Sequence, residues 1–148
     1  MTVRAAVAGD IPALLALVRR YWDFEGIDGF DALRIELLLK ELTPGGPRGE
    51  ILVSEAAGQL EGYLALVYVL SLEHRGLMAE IDELFVLPEA RGRGTGSALL
   101  AAAEARLRAR GCVRAQLQLA LANQAGRAFY TRHGYGARAG YALLDKPL

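Results

Sequence analysis

Residues 84–100 read Leu84-Phe-Val-Leu-Pro-Glu-Ala-Arg-Gly-Arg-Gly-Thr-Gly-Ser-Ala-Leu-Leu100, and this stretch decides how the chain folds. An apolar segment ends at Pro88, a loop with three glycines and two arginines follows, and the remainder is rich in alanine and leucine. Glycines let a backbone approach a ligand closely, and a helix start offers unpaired N–H groups and the positive end of its dipole. The order strand, glycine-rich loop, helix therefore predicts a phosphate-binding turn, to which arginine can add bidentate contacts.

Two common phosphate-loop patterns do not fit this stretch. A Walker loop ends in Lys-Ser or Lys-Thr, whereas the sequence has Thr95-Gly96-Ser97 at that place. A dinucleotide-binding loop requires an acidic residue at the end of the following strand, where the sequence reads Leu119-Ala-Leu121. A turn that only links the strand to the helix stays open as the alternative to an anion site.

The hydrophobic periodicity around this stretch predicts one mixed α/β domain over residues 1–148. Helices are expected over 11–22, 31–42, 96–110 and 125–133. Strands are expected over 2–7, 50–56, 60–70, 77–87, 113–119 and, as a short pair, over 135–145.

Composition places the chain among compact globular proteins, because 53% of its residues are hydrophobic and only 23% are charged. Cys112 is the single cysteine, so no disulfide can form within the chain. No apolar run approaches the ~20 residues that cross a bilayer, and residues 1–10 lack a targeting pattern. We therefore expect a cytoplasmic protein without a membrane partner. No long basic run suggests nucleic acid, and His74 and His133 show no metal-ligand spacing.

The two parts of the chain carry opposite charge. Residues 1–89 contain 7 Lys or Arg and 15 Asp or Glu, whereas residues 90–148 contain 10 and 2. Either the C-terminal part holds an anion site and the N-terminal part a cation-tolerant site, or the charges mingle in the fold and the asymmetry is compositional. The sequence leaves both interpretations open.

Two motifs together resemble the GNAT superfamily of N-acetyltransferases. Arg91-Gly-Arg-Gly94-Thr-Gly96 matches that family's pyrophosphate loop, written Q/R-x-x-G-x-G/A, and follows an apolar strand. Asn123-Gln-Ala-Gly-Arg-Ala-Phe-Tyr130-Thr-Arg-His-Gly-Tyr135 looks like the family's Asn, helix, Gly-aromatic segment. The motifs span about residues 77–136. The resemblance implies a GNAT-like α/β domain with a mixed, mostly antiparallel sheet of six to seven strands and about four flanking helices.

The resemblance also implies that acetyl-CoA is the acyl donor and that no metal is required. Backbone groups of residues 85–87 would pair with the pantetheine arm, and amides of the loop would hold the pyrophosphate. Asn123 would bind the pantetheine or help to order the strands. The residues expected to contact the coenzyme are Phe85, Val86, Leu87, Arg91, Gly92, Arg93, Gly94, Thr95, Gly96, Ser97, Asn123 and Phe129.

Catalytic roles follow from the same resemblance. Tyr130 would protonate the departing thiolate, with a packing role as the alternative. An ammonium must lose a proton before it can attack a thioester, and Glu80, Asp82 and Glu83 supply carboxylates on one predicted strand. Strand alternation places Glu80 and Asp82 on one face and Glu83 on the other, unless a bulge resets the register. Asp82 and Glu83 rank first as the base, and water is the alternative.

The expected function is acetyl-CoA-dependent N-acetyl transfer to an amine. The acidic first part of the chain favours a small cationic or polyamine-like acceptor, and aromatic and acidic residues at 21–25 suit such an amine. A peptide or protein amine as acceptor, a longer acyl donor, and a non-catalytic acyl-CoA-binding module are the alternatives. The sequence also leaves a homodimer open.

Replacing Gly94 by Leu is expected to raise the acetyl-CoA dissociation constant at least about tenfold, or about 1.4 kcal/mol. The reason is that a side chain at this position obstructs the approach of pyrophosphate to the loop amides. Isothermal titration calorimetry on the folded variant measures the effect, and an unchanged affinity would remove the loop from the coenzyme site.

Overall fold

The computed structural model describes all residues, 1–148. The chain forms two compact units, residues 1–117 and residues 118–148. The first unit contains the sheet and three of the helices, and the second contains one helix followed by residues without regular secondary structure.

The elements of the first unit follow the order strand, two helices, three strands, helix, strand. Their bounds are β1 Thr2–Ala5, α1 Ile11–Glu25, α2 Ala32–Leu42, β2 Gly49–Ala56, β3 Gln59–Ser71, β4 Gly76–Val86, α3 Thr95–Ala109 and β5 Arg114–Gln116. Short 3-10 turns at Ala8–Asp10 and Pro88–Ala90 precede α1 and the glycine-rich loop. The second unit holds α4, Gln124–Arg132.

The helix ends lie at residues suited to them. Pro12 occupies the first turn of α1, and Gly26, with φ 68°, closes it in the left-handed conformation. The carboxylate of Asp31 caps α2 by accepting a hydrogen bond from the amide of Arg34 at 3.1 Å. These caps place the C-terminal end of α1 and the start of α2 on either side of a short connection.

The five strands form one sheet in the order β1-β2-β3-β4-β5. The first four strands pair antiparallel. The last pair, β4 with β5, is parallel and covers only Met78, Ala79 and Glu80 of β4. Beyond Glu80, the edge of β4 that faces β5 has no neighbouring strand.

Helices cover both faces of the sheet. On one face, α1 and α2 bury an apolar cluster with residues that alternate along the central strands. Its buried members are Ala6, Ile11, Leu14, Leu17, Val18, Leu39, Ile51, Val53, Tyr63, Ala65 and Phe85. On the other face, α3 packs against β1 to β4 and buries Leu99, Leu100, Ala103 and Leu107. The two faces are called the α1 face and the α3 face below.

The predicted α/β fold class and the four helices are confirmed, whereas the number of strands is corrected to five. The predicted strand pair over 135–145 does not form, and β5 is shorter than the predicted 113–119. Residues 136–148 are all exposed, so no buried face specifies strand pairing there. None of the helices is long and apolar enough to cross a membrane.

Gly49 stands where β2 approaches β3 too closely for a side chain. A Cβ at this position would overlap the backbone oxygen of Leu66, whereas a Cβ on Gly46 would meet nothing within 4 Å. Gly49→Ala is therefore expected to lower the free energy of unfolding by about 1–3 kcal/mol, and Gly46→Ala to leave it within ~0.5 kcal/mol. Urea denaturation of both variants checks this, and equal stabilities would contradict the close approach.

Candidate functional site

The centre of the candidate site is a β-bulge in β4. Ala65 of β3 pairs with Glu83, but the next residue, Leu66, pairs with Ile81, so Asp82 is an extra residue without a partner. The extra residue resets the alternation of β4. Glu83 lies opposite Ala65 and shares its α1 face, and Glu80, opposite Val67, returns to that same face. The bulge therefore occurs, and it is Glu80 and Glu83 that share a face.

Glu83 is half-buried, and each of its carboxylate oxygens accepts a hydrogen bond. The hydroxyl of Tyr63 on β3 donates to Oε2 at 2.6 Å, and the indole Nε1 of Trp22 on α1 donates to Oε1 at 3.3 Å. Glu80, also half-buried, accepts a hydrogen bond at 3.2 Å from the side-chain amide of Gln116 on β5. The two carboxylates on this face thus have partners from different elements.

The surroundings change the acidity of these carboxylates. Burial raises the pKa of Glu83, the hydrogen bond from Tyr63 opposes that rise, the charge of Asp82 adds to it, and Trp22 opposes it. Although the side chain of Asp82 is exposed, neighbouring protein atoms and then the charge of Glu80 raise its pKa as well. A carboxylate with a raised pKa is a stronger base, which suits the removal of a proton from an ammonium.

Aromatic side chains from the end of α1 surround Phe85 beside this carboxylate. Tyr21 meets Phe85 edge to face with ring centroids 6.0 Å apart, and Phe24 lies at 6.3 Å. The guanidinium of Arg91 stacks over Phe24 at 4.7 Å and lies 5.7 Å from Phe85. The aromatic and acidic segment at 21–25 therefore lies next to the carboxylate-bearing strand, as an acceptor site requires.

The glycine-rich loop offers backbone amides rather than side chains. Gly92 and Gly94 have φ 75° and 83°, a conformation that side chains disfavour, and no atom lies within 4 Å of a Cβ built on either. Gly94 is the N-cap of α3 and has no side chain to cap the first amides of the helix. Those amides fit an anion such as a pyrophosphate. Gly111, with φ 79° and equally open surroundings, provides a matched control for Gly94→Leu.

The two loop arginines contact protein groups. Arg91 Nε donates to the backbone oxygen of Val86 at 2.9 Å, and Arg93 pairs with Glu61 at 3.2 Å and donates to the Glu89 oxygen. Both side chains are exposed, so either can turn towards an anion. Their expected contacts with pyrophosphate stay a prediction.

The open edge of β4 provides room for an extended ligand. The amide of Leu87 donates to the oxygen of Glu61 on β3, so the backbone groups of Val86, one residue earlier, point to the opposite, open edge. By the same alternation the backbone groups of Phe85 point to β3. Of the three residues predicted to pair with pantetheine, Val86 is the one whose backbone the structure directs to the open edge.

The second unit carries the remaining predicted residues. Asn123 caps α4, because its Oδ1 accepts a hydrogen bond from the amide of Gly126 at 2.8 Å. On α4, Phe129 and Tyr130 meet edge to face at 5.1 Å, and Tyr130 meets Tyr135 at 5.5 Å. Burial raises the pKa of Tyr130 to about 12, so the phenol keeps its proton at neutral pH, as a proton donor must.

Sequence reasoning missed Tyr63, which lies inside an apolar strand with no local feature that marks it as a partner of Glu83. Sequence reasoning allowed for a bulge in this strand without predicting one, although the spacing of two apolar residues is a signal for it. Ile81 and Leu84 are three residues apart, and both pair with residues of the α3 face, which a regular strand cannot achieve. No three His, Cys, Asp or Glu side chains come together as a metal site.

The chain is similar to known proteins in family and in fold. The model of the GNAT acetyltransferase family matches residues 12–135. The uncharacterized N-acetyltransferase YhfO of Bacillus subtilis (strain 168) is 27% identical over 148 residues, covering 95% of this chain and 93% of that protein. The aminoalkylphosphonate N-acetyltransferase of Salmonella typhimurium (strain LT2) is 37% identical over 78 residues, which is 53% of this chain and 51% of that protein.

Among solved structures, the integron cassette protein HFX_CASS3 from the mobile metagenome of Cole Harbour Salt Marsh superposes with a TM-score of 0.86 at 27% identity. The match covers 99% of this chain and 90% of that one. Since the family match covers most of the sequence and both units contribute to it, the protein belongs to the GNAT family of acetyltransferases.

Proposed function

We propose that this acetyltransferase moves an acetyl group from acetyl-CoA directly to the nitrogen of a small amine, with Glu83 as the base. The observation that carries the proposal is the half-buried carboxylate of Glu83, which lies on the α1 face next to the bulge and beside the aromatic end of α1. Enzymes of the family use acetyl-CoA as donor, and the uncapped loop and the open edge of β4 support its binding here. We also propose that residues 1–148 act as one domain, because the family match runs through both units.

The chemistry requires three proton transfers. Glu83 accepts a proton from the ammonium, and the freed lone pair of the nitrogen forms a bond to the acetyl carbonyl carbon. The amide N–H of Val86, directed to the open edge, is the proposed donor to the oxyanion. As the bond between carbon and sulfur breaks, Tyr130 gives its proton to the thiolate, and the second proton that the nitrogen loses on becoming an amide restores the phenol of Tyr130. Asp82, exposed on the bulge, is the second candidate for the base.

The proposed acceptor is a small cationic or polyamine-like amine. The carboxylates Glu80, Asp82 and Glu83 lie on one short segment of β4, where they favour a positively charged group. Two alternatives follow from other observations. The relative from Salmonella acts, by its name, on aminoalkylphosphonates, which carry an anion beside the amine. A peptide or protein amine would present the same ammonium on a larger molecule.

A panel of acceptors with acetyl-CoA is expected to show transfer to polyamines and basic primary amines, and a weaker preference for them at high salt, because ions screen the carboxylates. The panel should also include aminoalkylphosphonates, amino acids and N-terminal peptides, with product mass as the readout. A clear preference for acidic acceptors at low salt would contradict the cationic acceptor and favour the aminoalkylphosphonate alternative.

Two conservative variants are expected to separate the base from the acid. Glu83→Gln removes the base and should lower kcat by roughly 10² or more, and it should abolish the fall of kcat/KM on the acidic side that reports Glu83 ionisation. Because burial raises the pKa of Glu83, that fall should lie above the usual glutamate range in the wild type. Tyr130→Phe should lower kcat on the same scale while acetyl-CoA affinity stays within about threefold.

Asp82→Asn is the comparison for the base, because it removes a carboxylate from the adjacent, exposed position. Wild-type turnover in Glu83→Gln together with a large loss in Asp82→Asn would transfer the role to Asp82. Wild-type turnover in Tyr130→Phe would leave Tyr130 with a packing role only.

A further inference from the structure

The carboxylate of Glu83 is held from two directions. Tyr63 reaches Oε2 from the neighbouring strand, at 2.6 Å, and Trp22 reaches Oε1 from α1, at 3.3 Å. Tyr63 is 1% exposed, so its ring cannot move without disturbing the packing of the α1 face. Each oxygen of an ionised carboxylate can accept more than one hydrogen bond, so both keep acceptor capacity for a substrate.

From this arrangement we infer that Tyr63 and Trp22 are positioning residues for the base, which fix the orientation of the Glu83 carboxylate and favour its ionised form through the hydrogen bonds that they donate. The inference rests on the proposed role of Glu83. It adds two residues that do not touch the reacting atoms and that act only through Glu83.

The direction of the effect follows from the chemistry of the two donors. An indole N–H can only donate, and it therefore stabilises the charged carboxylate over the neutral acid. A phenol can donate or accept, but burial and the adjacent Glu83 charge raise the pKa of Tyr63, so its hydroxyl stays protonated and donates to the anion. Removing either donor should therefore raise the pKa of Glu83 and protonate the base at a higher pH.

Other charged and titratable groups lie on the elements around this carboxylate and stay unchanged in such variants. Glu80 and Asp82 lie on the same strand, and Tyr21 lies on α1 against Phe85. The guanidinium groups of Arg91 and Arg19 stack on Phe85 and Phe30. The hydrogen bonds of Tyr63 and Trp22 differ from these influences because they can be removed one at a time by substitution with Phe.

Trp22 also connects the base to the chain between α1 and α2. Its ring meets Phe30 edge to face at 5.4 Å, and its backbone oxygen accepts a hydrogen bond from the amide of Ile27 at 2.9 Å. The position of the indole is therefore set by the connection that follows α1. Because the indole also packs on Phe30, replacement of Trp22 should disturb the orientation of the Glu83 carboxylate more than the loss of one hydrogen bond of 3.3 Å would.

The chain provides a matched control for the loss of a buried hydrogen bond between tyrosine and glutamate. Tyr68, also on β3, donates to Glu50 at 2.6 Å, the same distance as Tyr63 to Glu83. Glu50 also binds Arg106 on α3, so this second pair belongs to the α3 face. Tyr68→Phe therefore removes an equivalent contact without touching Glu83.

The test is a carbon NMR titration of the Glu83 carboxyl in protein labelled at glutamate, with Glu83→Gln to assign the signal, alongside pH profiles of kcat/KM. Tyr63→Phe and Trp22→Phe should each move the Glu83 titration and the acidic fall of kcat/KM to higher pH. On the acidic side, kcat/KM of Tyr63→Phe should be at least about fivefold below that of the wild type, since hydrogen bonds to charged groups are the stronger ones. At the high-pH plateau the difference between the two proteins should be smaller. Tyr68→Phe should move neither, although its melting temperature falls.

The outcomes separate the inference from the function on which it rests. An unmoved Glu83 titration in Tyr63→Phe and Trp22→Phe, with Glu83→Gln inactive, overturns the positioning role alone. Equal shifts in Tyr68→Phe would also overturn it, because they would show a general effect of lost stability. Wild-type turnover in Glu83→Gln overturns the assignment of the base, and the positioning role falls with it.

Discussion

One extra residue in β4 is the constraint on which the site depends. In a regular strand continued back from Phe85 and Glu83, Glu80 would turn to the α3 face instead of sharing the face of Glu83. The bulge instead returns two carboxylates to the α1 face within four residues, while Ile81 and Leu84 keep the opposite face apolar. The parallel pairing with β5 ends at Glu80, two residues before Asp82, so the change of register lies close to the start of the open strand edge.

Some of the opposite charges in the two parts of the chain form ion pairs with each other that stabilise the fold. Glu50, which is buried, pairs with Arg106 at 2.6 Å, and Glu61 pairs with Arg93 at 3.2 Å, so acids of the first part meet arginines of the second. A buried carboxylate without such a partner would carry a large desolvation cost. Glu80 and Glu83, on either side of the bulge, accept hydrogen bonds from neutral donors instead. Glu50 thus faces a permanent positive charge, whereas Glu83 accepts hydrogen bonds from uncharged groups.

Sequence analysis predicted the elements that local patterns determine and missed the features that depend on how strands pair. The positions of α1 to α4 and of β2 to β4 follow from apolar periodicity and from capping residues such as Asp31 and Gly26, which act within one turn. The glycine-rich loop could be located because its residue types are unusual. The strand pair expected over 135–145 did not form, because alternation alone does not supply a partner edge. Tyr63 could not be predicted as a partner of Glu83, because the two residues are twenty positions apart in the sequence and meet only through the pairing register of β3 and β4.

The indole that touches Glu83 belongs to Trp22, the one tryptophan of the chain. Indole emission responds to a charge that appears or disappears beside the ring. The tryptophan emission of this protein therefore originates from a single place, at the carboxylate of the proposed base and at the connection between α1 and α2. This indole can therefore serve, without any label, as an optical probe of the proposed base and of ligands that the proposed function would bring beside it.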